Sequence, residues 1–171
     1  MGRFKHLVDS SAGIEGFRAK YDIPQGLGLQ YCPSGQVLTN KEMSEVDIPM
    51  IAFIEEGMTL PICRITKDYL LIHRLCLNQC APNLFRVLGS VDALNNLMGL
   101  RLTWHDVVHV YECHSLASVG YYLKSHSNVV RLISCLPESN KGLKDDYLVV
   151  SREWHNDIHC PIPVGKPSGV S

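Results

Sequence analysis

The sequence predicts an α+β fold that is mainly helical: an N-terminal helical bundle of about four to five helices, followed by a small antiparallel strand meander. Two observations lead to this prediction. Between Leu60 and Cys113, apolar residues recur at spacings of three and four, which is the period of an amphipathic helix. Beyond Ser118, short runs rich in Tyr, Val, Ile and Leu alternate with polar connectors, a pattern typical of strands joined by turns.

The length and composition predict a single globular domain. A chain of 171 residues falls within the usual range for one domain, about 100 to 200 residues. Hydrophobic residues make up 46% of it and charged residues 19%, so the chain has enough apolar surface to form a core. We expect residues 1–160 to fold together, with a helical part over about 10–116 and a strand part over about 119–152. Residues 161–171 are rich in Pro, Gly and Ser and predict a linker or tail.

The first predicted helix lies in the stretch SSAGIEGFRAKYD. Asp9 and Ser10 are alternative N-cap residues, because the side-chain oxygen of either can accept a hydrogen bond from the first helical turn. Pro24 ends the helix, since a proline disfavours helical backbone at the residue before it. The glycines and prolines of residues 25–38 predict a loop with one short strand.

Two further helix starts precede the central stretch. Thr39 and Glu42 have the spacing of a capping box, which predicts a turn of helix there. Pro49 stands near the first position of a second helix, PMIAFIEE. That helix should end before Gly57, because glycine readily takes the left-handed conformation that follows a helix.

The central stretch predicts two longer helices, each with an apolar stripe. The first begins at Pro61 and ends at Asn78, and its stripe consists of Ile62, Ile65, Tyr69, Ile72 and Cys76. The second begins at Pro82 and ends at Gly99, and its stripe consists of Leu84, Leu88, Val91, Leu94 and Met98. Helices joined by such short connections are expected to pack as neighbours.

A further helix is predicted to begin at Thr103, where Asp106 completes a short form of the capping box. We expect this helix to run to Cys113. At about 100° per residue, its polar face carries His105, His109 and Cys113, opposite the apolar side that packs on the core.

Three strands are predicted in the remainder of the chain. They are GYYLKSH, NVVRLISCL and DYLVVS, which are rich in aromatic and β-branched residues and are separated by polar connectors. Their sequential order predicts an antiparallel meander, in which each strand pairs with the next.

The cysteines and the charge indicate an intracellular, soluble protein. The seven cysteines are odd in number and irregular in spacing: Cys32, Cys63, Cys76, Cys80, Cys113, Cys135 and Cys160. No secretory signal precedes them, so we expect reduced thiols that behave as small apolar side chains. No apolar run approaches the roughly 20 residues that span a bilayer, and no membrane partner is expected. The net charge of −1 does not support nucleic-acid binding, although the sequence remains compatible with it.

The strongest candidate for chemistry is the face formed by His105, His109 and Cys113. Their spacing of i, i+4 and i+8 suits zinc, and Asp106 stands where helical metalloproteases carry the longer Glu that serves as base. A fourth ligand could come from further along the chain, at His155, His159 or Cys160. However, the sequence contains no C-x-x-C pair, and an exposed polar helix face explains the histidines equally well. We therefore assign no catalytic, cofactor-binding or metal-binding residue, and we expect no cofactor.

A series of landmarks runs through most of the chain. In order they are Phe17 and Tyr21 before Ile23 and Pro24, then Gly57, Leu60 and Pro61, Asn78, Pro82, Asn83, Phe85, Gly99, the stretch LPESNKG that begins at Leu136, and the strand from Tyr147 to Val150. Their order and spacing, from about Ile14 to Trp154, resemble the gypsy-type transposon domain of plants, found near the N-terminus of many retrotransposon-derived proteins. Leu143 departs from this pattern, which has an aromatic residue after Lys-Gly.

The resemblance implies a gag-like, structural or assembly segment, and the family offers no catalytic residues to carry over. The sequence also lacks the Asp-Thr/Ser-Gly triplet of aspartic proteases, the C-x-x-C of a zinc knuckle and the Tyr-x-Asp-Asp of polymerases. The leading hypothesis is a non-enzymatic, retrotransposon-derived domain that acts as a structural or protein-interaction module, through protein partners or self-association. The alternative is a zinc-binding module or a metal-dependent hydrolase that uses the face of His105 and His109.

Overall fold

The computed structural model of the chain describes residues 2–33, 44–116, 120–134 and 146–151. Within these ranges, five α-helices and five strands in two antiparallel sheets confirm the α+β class. The elements are α1 (Ser11–Lys20), β1 (Gly28–Pro33), β2 (Val46–Pro49), α2 (Met50–Ile54), α3 (Arg64–His73), α4 (Pro82–Met98), α5 (Trp104–Val110), β3 (Tyr111–Leu116), β4 (Gly120–Ser125) and β5 (Asp146–Ser151), with single 3₁₀ turns at Lys5–Leu7 and Leu77–Gln79. The strands are interleaved with the helices, so the predicted order of a bundle followed by strands is wrong. The predicted tail, 161–171, lies outside the described residues.

β5 is the central strand of a three-stranded sheet, with β1 and β2 as its antiparallel neighbours. Because it is paired on both sides, its apolar residues are shielded, and Leu148, Val149 and Val150 are at most 3% exposed. Both neighbours come from the first part of the chain, before α2. The predicted sequential meander is therefore wrong, since β5 pairs with distant strands and not with β4.

Asp146, the first residue of β5, joins the N-terminal segment to this sheet. Its buried carboxylate accepts hydrogen bonds from the backbone nitrogen of Phe4 at 2.6 Å and from the hydroxyl of Tyr31 at 2.5 Å. Burial, with the hydrogen bond to Asp146, raises the pKa of Tyr31 to about 12. The Tyr31 hydroxyl therefore stays protonated at neutral pH and remains a donor.

β3 follows α5 without a connecting loop. Tyr111 has extended backbone angles, with φ of −124° and ψ of 139°, and it opens a hairpin in which Cys113 stands opposite Leu123 of β4. Tyr111 is 1% exposed and Glu112 is exposed, which is the two-residue alternation of a strand. The predictions of a helix to Cys113 and of a helical part to about 116 are therefore wrong.

The second edge of β4 is occupied by the segment at the start of α4. The backbone nitrogen of Ala81 donates to the carbonyl oxygen of Tyr121 at 2.7 Å. The side-chain amide of Asn83 bonds both backbone groups of Leu123, with Nδ2 to O at 2.7 Å and N to Oδ1 at 3.2 Å. β4 therefore offers no free edge for a further strand. Residues 128–134 of the stretch NVVRLISCL accordingly form no strand, and that prediction is wrong.

The structure confirms some of the predictions made for the segments around α1 and α2, and it adds a strand that was not predicted. Ser10 is the N-cap of α1, since its Oγ accepts a hydrogen bond from the backbone nitrogen of Gly13 at 3.1 Å. α2 is followed, as predicted, by Gly57 in the left-handed conformation with φ of 67°. β1 is the short strand expected within 25–38, whereas β2 was not predicted. The helix start at Thr39 and Glu42 lies outside the described residues.

α3 is shorter than the sequence predicts. It begins at Arg64 and not at Pro61, and it ends at His73 because Arg74 adopts the left-handed conformation with φ of 52°. Ile72, which the predicted stripe placed in the core, is 56% exposed.

α4 is the longest described helix, and the core forms around its first half. It begins at Pro82 and ends before Gly99, which has φ of 64°, as predicted. Leu84, Leu88 and Val91 are completely buried, and the helix packs against α2, α3 and β4. No helix in the described part of the chain is long and apolar enough to span a membrane.

Candidate functional site

The two histidines of the predicted metal face lie on α5, and both are exposed. The ring of His105 stacks on Trp104, with ring centroids 3.6 Å apart. Asp106, the candidate base, instead caps the helix, because its Oδ2 accepts hydrogen bonds from the backbone nitrogen of Thr103 at 2.7 Å and from its hydroxyl at 3.0 Å. These bonds hold the pKa of Asp106 below its usual range. The carboxylate of Asp106 therefore acts as a cap at the start of α5.

Cys113 does not share a face with the two histidines. It belongs to β3, and its thiol lies beside the buried hydroxyl of Tyr69 on α3. Burial raises the pKa of the Cys113 thiol, which disfavours the thiolate that metal binding requires. The predicted set at i, i+4 and i+8 is therefore wrong, because it required a helix through Cys113.

The described residues do not form an assembled site for the alternative function, a zinc-binding module or a metal-dependent hydrolase. No group of three or more His, Cys, Asp or Glu side chains in those ranges is arranged to hold a metal ion. The downstream candidate ligands His155, His159 and Cys160 lie outside the described residues.

Thiols also occupy the core between α3 and the β3–β4 hairpin. Cys76 and Cys80 are at most 1% exposed, and the Sγ of Cys80 donates to the carbonyl oxygen of Cys76 at 3.3 Å. Burial, with the nearby Cys113 thiol, raises the pKa of Cys80 well above its ordinary value. A buried, protonated thiol is a weak nucleophile. At these positions the cysteines act as small core side chains, as predicted.

At the end of α4, three exposed apolar residues lie within four positions of the chain. Leu97 is 84% exposed, Met98 is 66% exposed and Leu100 is 41% exposed, and we call these three residues the α4 knob. The predicted stripe placed Met98 in the core, which is wrong. Large apolar side chains gathered in one exposed place are more informative than the same side chains scattered singly.

The α4 knob is held in a fixed geometry by Asn95. Its Nδ2 donates to the carbonyl oxygen of Leu102 at 2.8 Å, and its Oδ1 accepts from the backbone nitrogen of Leu102 at 2.9 Å. This pair of bonds closes the turn that contains Gly99. The knob is therefore part of an ordered turn and not of a fraying helix end.

The sequence does carry a weak signal for the α4 knob. Leu97 lies off the predicted apolar stripe, and Leu100 follows the glycine that ends the helix. Neither position can reach the core if the helix faces it with Leu84 and Leu88. An apolar residue at such a place is exposed unless another element covers it.

No protein-family model, no curated protein and no solved structure matches this chain.

Proposed function

We propose that this chain is a non-enzymatic, retrotransposon-derived domain that acts as a protein-interaction module, and that the α4 knob docks against a second copy of the chain. The order of landmarks from Ile14 to Trp154 supports the origin. The proposed interaction rests on the exposed apolar residues of the α4 knob.

The apolar surface of the α4 knob favours burial against a partner. Complete removal of a Leu or Met side chain from water contributes about 1.5 to 3 kcal/mol. Leu97 and Met98 keep most of their surface in water within the single chain, so the larger part of that free energy is available to an interface. The hydrogen bonds of Asn95 order the turn beforehand, which lowers the entropy lost on docking.

The charge of the chain favours a second copy as the partner. A formal net charge of −1 produces almost no repulsion between identical chains, and proteins near neutrality associate most readily. A symmetric contact would place one knob against the other, so the same residues would supply both sides.

The size of the α4 knob predicts a weak contact. Three side chains cover less than the roughly 800 Å² per partner that a stable interface buries. We therefore expect a dimer that forms reversibly as concentration rises, as suits a module whose affinity grows when many copies are brought together.

Sedimentation velocity over a wide concentration range tests the proposal. The wild-type chain should shift from monomer to dimer, and the double variant Leu97→Gln, Met98→Gln should remain monomeric. Ile72→Gln is the matched control, because Ile72 is an exposed apolar residue on α3 and its loss should leave association unchanged.

Two results would contradict the proposal. One is a wild-type chain that stays monomeric at the highest concentration reached. The other is a double variant that associates as strongly as the wild type.

A further inference from the structure

The outer face of the β3–β4 hairpin forms one wall of a groove that none of the contacts above uses. His114 and Lys124 lie on this wall, while the segment that follows β4, from His126 to Arg131, forms the other. The groove has a volume of about 560 Å³, within the range of about 300 to 1,000 Å³ typical of small-molecule sites. It is therefore large enough for a ligand and not only for an ion.

The side chains of the groove give it local positive charge in a chain that is almost neutral. Lys124 and Arg131 are its permanent cations, and Glu112 is the one carboxylate among its lining residues. Glu112 is engaged by His114, with Oε2 and Nε2 3.0 Å apart. The lining therefore holds two permanent cations and one carboxylate, which leaves a net positive charge.

Several other arginines in the described ranges have carboxylate partners, although no ion pair among the described residues engages Arg74 or Arg101. Ion pairs at 3.3 to 3.5 Å are made by Arg3, Arg18 and Arg64. Across the described part of the chain, no ion pair engages Lys124 or Arg131, although Lys124 stands opposite Glu112 in the strand register. Both cations are exposed and available to an anion.

The walls of the groove are held in place on both sides. The backbone nitrogen of His126 donates to the carbonyl oxygen of Val110 at 2.9 Å. The imidazole Nε2 of His126 lies 3.3 Å from the carbonyl oxygen of Val108. On the opposite wall, the ring of His114 stacks against Tyr122, with centroids 5.6 Å apart. The groove therefore has an anchored rim and an aromatic wall before any ligand arrives.

We propose that this groove binds a phosphate ester of about nucleotide size, with Lys124 and Arg131 as the groups that hold the phosphate. Two cations in one lining suit an oxyanion that carries more than one charge and several acceptor oxygens. Ser125, Ser127 and Asn128 add neutral hydrogen-bond donors along the same lining. The stacked ring of His114 offers an aromatic surface to the part of the ligand beyond the phosphate.

A carboxylate ligand fits these features less well. It carries a single charge, so it would neutralise only one of the two cations. The net charge of −1 also means that attraction comes from the groove itself and not from the whole molecule.

Titration at low salt, followed by backbone amide NMR, tests this site with three probes: inorganic phosphate, adenosine monophosphate and a short single-stranded oligo-dT. We expect adenosine monophosphate to shift the amides of His114, Lys124 and Arg131 more strongly than inorganic phosphate does. Tighter binding of the oligonucleotide would identify a nucleic-acid strand as the source of the phosphate, and equal binding would identify a free nucleotide.

Matched variants separate the groove from general surface charge. Lys124→Gln and Arg131→Gln should each weaken binding by about tenfold to a hundredfold, and the double variant by more, since each substitution removes a charged hydrogen bond. Lys124→Arg should keep binding, and Arg101→Gln, at an exposed arginine outside the groove, should leave it unchanged. The proposal fails if none of the probes binds, if the double variant binds like the wild type, or if Arg101→Gln weakens binding equally.

Discussion

The two ends of α4 carry similar apolar residues that end up in opposite surroundings. Leu84 and Leu88, near its start, are completely buried, whereas Leu97 and Met98, at its end, are 84% and 66% exposed. The helix is continuous between them. Met98 lies on the same predicted stripe as Leu84 and Leu88, so its exposure reflects the lack of a neighbouring element, whereas Leu97 lies off that stripe. α2, α3 and β4 pack on the helix, and they leave its last turn uncovered. A helical apolar stripe therefore predicts a face, and the neighbouring elements decide whether each part of that face is buried or exposed.

Leu88→Ala should give the largest effect, because it creates a cavity at the fully buried end. We expect a loss of about 2 to 5 kcal/mol in the free energy of unfolding, measured by urea denaturation. A loss below 1 kcal/mol would show that the first half of α4 is not the centre of the core.

Two of the three asparagines of α4 allow a second comparison of its ends. Asn83 and Asn95 each bond both backbone groups of one residue, Leu123 and Leu102 respectively. Asn83 is 8% exposed, so Asn83→Ala leaves buried groups without partners and should cost about 2 to 3 kcal/mol. Asn95→Ala should cost about 1 kcal/mol or less, because water can replace the amide at the half-exposed end.

The same denaturation experiment distinguishes these outcomes. Equal losses for the two variants would contradict the view that burial, and not the number of hydrogen bonds, separates the two ends. Asn95→Ala should also weaken dimer formation, since it loosens the turn that carries the α4 knob without removing any apolar atom from it.

Leu97→Ala should have the smallest effect on stability. The removed atoms are already in water, so the free energy of unfolding of the monomer should change by no more than about 0.5 kcal/mol. The measurement uses dilute protein, at which a dimer would not contribute. A large loss in dilute solution would mean that Leu97 packs within its own chain.

Local sequence signals predicted α4 well, and the reason is physical. Pro82 and Gly99 act on the backbone of the helix itself, through a fixed φ at the start and a left-handed residue at the end. Their effect does not depend on distant parts of the chain. The caps at Ser10 and Thr103 belong to the same class, and both are present.

Structural features that depend on distant residues could not be predicted in this way. The stretch from Val110 to His114 has an apolar pattern compatible with either a helix or a strand, and pairing with β4 decides in favour of the strand. Likewise, nothing near β5 indicates that it lies between β1 and β2. The groove was also missed, because its lining combines β3 residues with Lys124, and they become neighbours only when β3 pairs with β4.

The central position of β5 affects how the chain folds during its synthesis. β1 and β2 both pair with β5 and not with each other, and β5 follows every other described element. Neither strand has its partner until residue 151 has left the ribosome, while α3 and α4 are made earlier and pack on each other. Such long-range pairing slows folding and leaves unpaired strand edges open to aggregation. Completion of this sheet is therefore a late event, and a nascent chain stalled before Asp146 would expose two strands that no other described strand pairs with.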